Sequence, residues 1–411
     1  MLTIKEMIDR TTHMRRTTGE QITLLAICPN SAAVLEAAIK SAAQNNAPML
    51  LAATLNQIDR DGGYTGWTPA RFVTEMRIYI QKYAWRGPVY PCLDHGGPWL
   101  KDDHRKRELS LEETTAEVKQ SLSAMLEAGY QLLHIDPTID ITLPPGETMP
   151  IIRTAERIVD LIAYAEGERK RMRLPPVSYE TGSEEVKGGI ADIDSFRAFI
   201  KVLRIRLIKR GLSQAWPCFI VGNVGTDLHT TDFDPKIAKN LYEIVAPLGS
   251  LIKGHYTDWV ANPEQYPRFG MGGANIGPEL TAEEYLALRD LVKKERDVCR
   301  ARPDREPSGF LEVLESAVVS SGRWEKWRQP DEKGKAFDEL TDERREWLVQ
   351  TGARYVWARD EVVEARDRLY ENLKPAVPDP NGYVVDRIVA AIDKYMLAFN
   401  LCDSLAALGA A

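Results

Sequence analysis

Tyr90-Pro91-Cys92-Leu93-Asp94-His95-Gly96-Gly97-Pro98 is the stretch on which the reading of this chain turns. Pro88 to Leu93 is a short apolar run of the kind buried on both faces of a sheet. It delivers an adjacent acid and imidazole, Asp94 and His95, before Gly96-Gly97-Pro98 breaks the extended backbone. A carboxylate beside an imidazole at a strand tip suits divalent-metal chemistry, because the ring binds the ion while the acid handles a proton. The same pair also suits a plain hydrogen-bonded strand end, so the weight falls on the other strand tips.

Outward from that segment, short apolar runs alternate with longer helical periodicities. The strands expected are Thr23 to Cys28, Met49 to Thr54, Pro88 to Leu93, Gln131 to Asp136, Pro176 to Glu180, Cys218 to Gly222, Ser250 to Gly254 and Gly273 to Ile276. Between them the spacing predicts helices over Ser31–Gln44, Thr68–Tyr83, Ser110–Ala128, Met149–Glu166, Asp192–Lys209, Pro235–Val245 and Thr281–Lys294. Ser31, Thr68, Ser110 and Thr281 read as N-caps. Repeated strand-helix units over about 300 residues fit a parallel (β/α)8 barrel. An open doubly wound sheet would announce a glycine-rich phosphate loop after its first strand, and Cys28-Pro29-Asn30-Ser31 stands there instead.

Composition shifts near residue 300. The expected division is a barrel over 1–299 and a helical extension over 300–411, with helices at Gly309–Ser321, about Asp338–Lys374 and Tyr383–Leu408. Trp324, Trp327, Trp347, Tyr355, Trp357 and Tyr370 read as helix–helix core. The chain has 411 residues, 44% of them hydrophobic, and a net charge of −7, which argues against bulk nucleic-acid binding. No run approaches the roughly 20 apolar residues of a membrane span, and no signal peptide is read, so the cytoplasm is the expected location. The 5 cysteines lie far apart with no CxxC, which suggests neither a disulfide framework nor a thiolate metal site.

At the C-terminal ends of barrel strands, where such folds place their chemistry, the chain offers Asn56-Gln57, Asp94-His95, His134-Ile135-Asp136, Glu180, Glu184-Glu185, His229, and His255 with Asp258. Four of the 6 histidines fall on or just after these ends; His13 and His104 sit in polar segments and read as surface residues. His95, His229 and His255 are the expected ligands of one divalent ion (Zn, Mn, Co or Ni), with Glu184 as fourth ligand or nearby base. His134 divides evenly between ligand and packed barrel interior. Glu180 reads rather as a buried ion-pair partner.

Asn56-Gln57, Gly62-Gly63-Tyr64-Thr65-Gly66-Trp67-Thr68-Pro69, Asp94-His95-Gly96-Gly97-Pro98, His134-Ile135-Asp136, Gly182-Ser183-Glu184, His255-Tyr256-Thr257-Asp258 and Ile276-Gly277-Pro278 together resemble the accessory, so-called non-catalytic subunit of class II tagatose-bisphosphate aldolase. The resemblance implies a class II aldolase-type barrel with a helical tail, and a sugar or sugar phosphate as ligand. It also implies either ketose 4-epimerase activity or service as partner to a separate aldolase chain; a homo-oligomer is a further expectation. Members of the family also carry a kinase label, for which neither a Walker loop nor a protein-kinase motif set is found here.

Inverting C4 of a 2-ketose by retro-aldol and aldol steps needs a group to take and return the C4 hydroxyl proton, and Asp94 or Glu184 is expected in that role. Asn56, Gln57, Tyr64, Thr65, Asp136, Asp258, Gly272, Gly273 and Asn275 are the expected substrate contacts. Gly270 to Gly273, with Arg268 nearby, reads equally as a backbone cradle for a phosphate and as a plain turn.

Overall fold

The computed structural model describes residues 2–144, 147–182, 193–226, 232–302 and 304–409. Strands β1 Leu24–Ile27, β2 Met49–Thr54, β3 Val89–Gly96, β4 Leu132–Ile135, β5 Ser178–Gly182, β6 Phe219–Val221, β7 Leu251–Gly254 and β8 Met271–Ile276 close into a barrel in sequential order. Every pairing is parallel, including the closing pair β1–β8. The strands are short and buried because helices shield their outer faces while side chains fill the interior. Those helices are Ala32–Gln44, Pro69–Lys82, Leu111–Ala128, Ile151–Arg171, Ile193–Lys209, Pro235–Val245 and Pro278–Ala301.

Local chemistry starts the helices. The Ser31 and Thr68 hydroxyls accept from the backbone N–H groups of Val34 and Arg71, and Ser110 forms a reciprocal capping box with Glu113. Thr281 is not a cap, since Pro278 opens that helix one turn earlier. An N-terminal helix, Ile4–Thr18, lies at the base of the barrel: the Lys5 N–H donates to Ser178 at the start of β5.

Strand boundaries shift by a few residues from expectation, and two of the shifts matter. β3 continues through Gly96, because a register shift lets Gly96 pair with Ile135. β8 begins at Met271, so Gly272 and Gly273 lie inside a strand. A Cβ on Gly272 would meet the Leu251 Cβ at 2.3 Å, so this glycine serves β7–β8 packing at the start of β8, away from the barrel end that carries Asp94 and His95.

The C-terminal extension is helical, with Phe310–Ser320, Asp342–Gly352, Asp360–Leu373 and Pro380–Ala398 as its longer elements. The long helix expected from Asp338 to Lys374 is broken between Gly352 and Asp360, where Ala353–Tyr355 forms a single tight turn. Gly352 packs against Val318, and a Cβ there would approach Val318 Cγ1 at 2.9 Å. Helix Pro380–Ala398 packs between the first and last barrel helices; its Asp393 accepts from Ser41 and Asn45, and its Arg387 pairs with Glu283 and Asp290. One continuous apolar cluster runs through barrel and extension. Among the described residues no helix is long and apolar enough to cross a membrane.

Candidate metal centre

Successive residues of a strand point to opposite faces of the sheet, yet Asp94 and His95 both reach one cluster at the barrel mouth. The register shift between Leu93 and Gly96 supplies the turn, and His95 adopts φ +48°, a left-handed conformation rare for a non-glycine residue. Such backbone costs of order 1–3 kcal/mol and persists where surrounding structure imposes it. Gly97 makes the close approach feasible: a Cβ there would sit 1.7 Å from the Asp136 carbonyl oxygen.

One ligand atom from each of Asp94, His95, His134 and His255 lies within 4.8 Å of the others. Carboxylates fix the imidazole tautomers from behind. His95 Nδ1 donates to Asp136 Oδ2 at 2.6 Å, and His255 Nε2 to Glu180 Oε1 at 3.0 Å. The remaining nitrogens, His95 Nε2 and His255 Nδ1, then face each other at 3.2 Å. Two lone pairs at that distance repel unless a cation lies between them. Two ligand nitrogens bound tetrahedrally at about 2.0–2.1 Å stand roughly 3.3 Å apart, so the pair has the spacing of neighbours on one ion. Carboxylate-backed histidines are also the usual way a protein orients imidazole ligands. His134 Nδ1 accepts the His95 backbone N–H at 3.1 Å and stands 3.2 Å from Asp94 Oδ1. The donor set fits a divalent metal.

Without an ion, a proton does the same work. Burial opposes a charge on His95, but Asp94 and Asp136 push its pKa up to about 9. Burial likewise opposes ionisation of Asp94, yet His95, His255 and His134 hold it well below the ordinary carboxylate range. Beneath the cluster, Lys253 on β7 bonds Glu180 Oε2 at 2.6 Å, both fully buried. Burial disfavours both charges, but their attraction keeps Glu180 ionised and Lys253 protonated. Glu180 is thus anchored on one oxygen and orients His255 with the other.

The model of the D-tagatose-1,6-bisphosphate aldolase subunit GatZ/KbaZ-like family matches residues 9–398. The chain belongs to that family. Among solved structures it is similar to a probable tagatose 6 phosphate kinase from Sinorhizobium meliloti 1021, at 22% identity and a TM-score of 0.76, covering 92% of this chain and 100% of that one. It is also similar to a fructose-bisphosphate aldolase from Campylobacter jejuni, at 10% identity and a TM-score of 0.56, covering 98% of this chain and 96% of that one. Both similarities show a shared eight-stranded parallel barrel fold.

In this GatZ/KbaZ-like chain the expected residues fall into three groups. His95 and His255 come together, His134 joins them, and Asp94 lies among them; His229 and Glu184 fall outside the described residues. Asn56, Gln57, Tyr64, Asp258 and Asn275 line the cleft above the cluster, and the buried Asn275 Oδ1 has no hydrogen-bond partner among the described residues. Some of the expected contacts also carry structural work. Asn56 pins the Leu100–Asp102 loop through both ends of its amide, and the Thr65 hydroxyl donates to the Gln57 carbonyl. Asp136 backs His95, and Gly272 and Gly273 lie inside β8.

Sequence reasoning missed more. His104 is buried and bonded to Thr114 rather than at the surface. Lys253 is not among the residues expected at the site, although a lysine inside Leu251-Ile252-Lys253-Gly254 signals a charge within the barrel. Trp324 and Trp357 are core, as expected, whereas Trp327 and Tyr355 line the cleft. With them, Arg323, Lys326 and Arg354 of the extension complete its outer wall.

Proposed function

We propose that this chain is a metal-dependent enzyme that breaks and remakes the C3–C4 bond of a ketohexose of tagatose or fructose type, or its 6-phosphate, with 4-epimerisation as the net result. The observation that carries this reading is the His95–His255 pair, two imidazoles with carboxylates behind them and lone pairs converging at 3.2 Å. A divalent ion held by His95 and His255, with Asp94 and His134 beside it, would supply Lewis acidity toward the C2 carbonyl and C3 hydroxyl of a bound ketose.

The C4 hydrogen of a 2-ketose is not acidic, so inversion there proceeds through the carbon–carbon bond. Asp94, ionised and lining the cleft, accepts the C4 hydroxyl proton. The C3–C4 electron pair moves into a C2–C3 enediolate, and C4 becomes an aldehyde. Rotation of that aldehyde before re-addition presents its other face; Asp94 returns the proton to oxygen, and the 4-epimer results. Escape of the aldehyde would make the same site an aldolase.

The purified chain, incubated with tagatose or fructose, with and without the 6-phosphate, and with Mn, Co, Ni or Zn, should interconvert the C4 epimers. In D2O the product should carry no deuterium at C4, and incorporation there would refute the carbon–carbon route. The family description favours a second reading, a partner that stabilises a separate aldolase chain. No interconversion under any of these conditions, together with a co-purifying aldolase, would establish that alternative.

A further inference from the structure

Arg354 sits in the tight turn that interrupts the extension helices and is only 7% exposed, yet its guanidinium lines the cleft above the metal cluster. Its Nη2 donates to the Tyr355 hydroxyl at 3.0 Å, while the buried Nη1 has no hydrogen-bond partner among the described residues. Aromatic rings cover its faces: its centre lies 5.1 Å from the Trp327 ring and 4.8 Å from that of Tyr355. Rings on the faces fix the plane of a guanidinium and leave its edge, the forked N–H donors, for a ligand. The cleft carboxylate it feels most, Asp258, takes the backbone N–H groups of Gly277 and Glu279 on its Oδ1, and among the described residues no carboxylate stands within ion-pair distance of the guanidinium.

A buried cation without a counter-ion costs several kcal/mol, and a fold keeps one where a ligand completes it. Nearby, Arg323 and Lys326 share the single carboxylate of Asp102, at 3.3 and 2.7 Å, so this wall carries a surplus of positive charge. A planar fork within a positive wall matches an oxyanion.

We propose that Arg354, supported by Arg323 and Lys326, is the receptor for an anionic group on the substrate, a phosphate or a carboxylate distal to the carbons held at the metal cluster. The inference rests on the ketose reading above and narrows it to acidic ketoses. It also moves the anion site from the glycines of β8 to the helical extension.

The test is isothermal titration of the full-length, metal-free protein at constant ionic strength with three ligands: tagatose, tagatose 6-phosphate, and the corresponding ketose bearing a C6 carboxylate. One acidic sugar should bind at least about tenfold tighter than tagatose, and which one does so identifies the anion. That advantage should vanish in Arg354→Met. Equal binding of all three sugars, or an advantage that survives in Arg354→Met, overturns the proposal. Should that variant fail to fold by circular dichroism, Arg354→Lys decides: a several-fold loss of the advantage supports the forked contact, and an undiminished advantage refutes it. No turnover is needed for this readout. Absence of epimerase activity therefore leaves the anion site standing, and absence of anion selectivity leaves turnover of a neutral ketose standing.

Discussion

Two imidazole nitrogens 3.2 Å apart, each with its far side claimed by a carboxylate, set the protonation of the whole cluster. The carboxylates should therefore matter as much as the ligands they orient. Asp136→Asn or Glu180→Gln removes the charge that fixes one tautomer, and metal affinity should fall about 10–100-fold by competition with a chromogenic chelator. Unchanged affinity in both variants would remove the tautomer argument. The pH dependence has a definite sign. Because the folded pKa of His95, about 9, lies above its ordinary value, the metal-free protein gains stability that is fully present below pH 6.5 and is lost as pH rises through about 9. The melting temperature of the metal-free protein should decline across that window, and metal binding should release protons and tighten toward its upper end. The metal-loaded protein should show no such decline, since an ion then holds the place of the proton.

Strand β3 shows what the sequence yields to physical reading and what it withholds. Its apolar run, its position in the alternation of strands and helices, and the acid and imidazole at its tip were all legible from composition and period. The bulge that turns both side chains inward was not, because it depends on how β3 meets β4 across the barrel. The same limit applies to the broken extension helix: helical periodicity continues through Arg354 in the sequence, while in the fold the helix gives way after Gly352, which packs on Val318, to the Ala353–Tyr355 turn. Charge inside the barrel was half legible. Glu180 reads as an ion-pair partner from sequence, but its choice of Lys253 and His255 is a tertiary fact. Gly97 carries the sharpest test at this scale. In Gly97→Ala the new methyl group collides with the Asp136 backbone, which no rotamer can relieve, so the β3–β4 seam must open. Destabilisation of about 3 kcal/mol or more in urea is expected, together with loss of metal binding, because that seam positions both Asp94 and Asp136.

At the scale of the whole molecule, the extension serves as a wall of the cleft and as part of the core. Tyr64, from the loop after β2, meets the Tyr355 ring edge-on at 5.2 Å, and Lys326 reaches across to Asp102 of the barrel. On the outer side, Glu279 at the start of the last barrel helix accepts from the Tyr395 hydroxyl and from Lys394 of the extension. A tail attached only for docking a partner would have its own separate core. Here the apolar cluster is continuous, and unfolding the extension would uncover barrel helices Ala32–Gln44 and Pro278–Ala301. Thermal unfolding should accordingly be a single cooperative transition. Fluorescence offers a direct check, because Trp324, Trp327, Trp347 and Trp357 report the extension while Trp67, Trp85, Trp99, Trp216 and Trp259 report the barrel. A variant with the four extension tryptophans replaced by phenylalanine and one with the five barrel tryptophans so replaced should melt at the temperature given by far-UV circular dichroism of the same variant. A metal added to either should raise both signals together. Two separated transitions, with the extension melting first and metal binding intact, would mean that the cleft wall is dispensable to the barrel and that the charge it carries faces something other than the substrate.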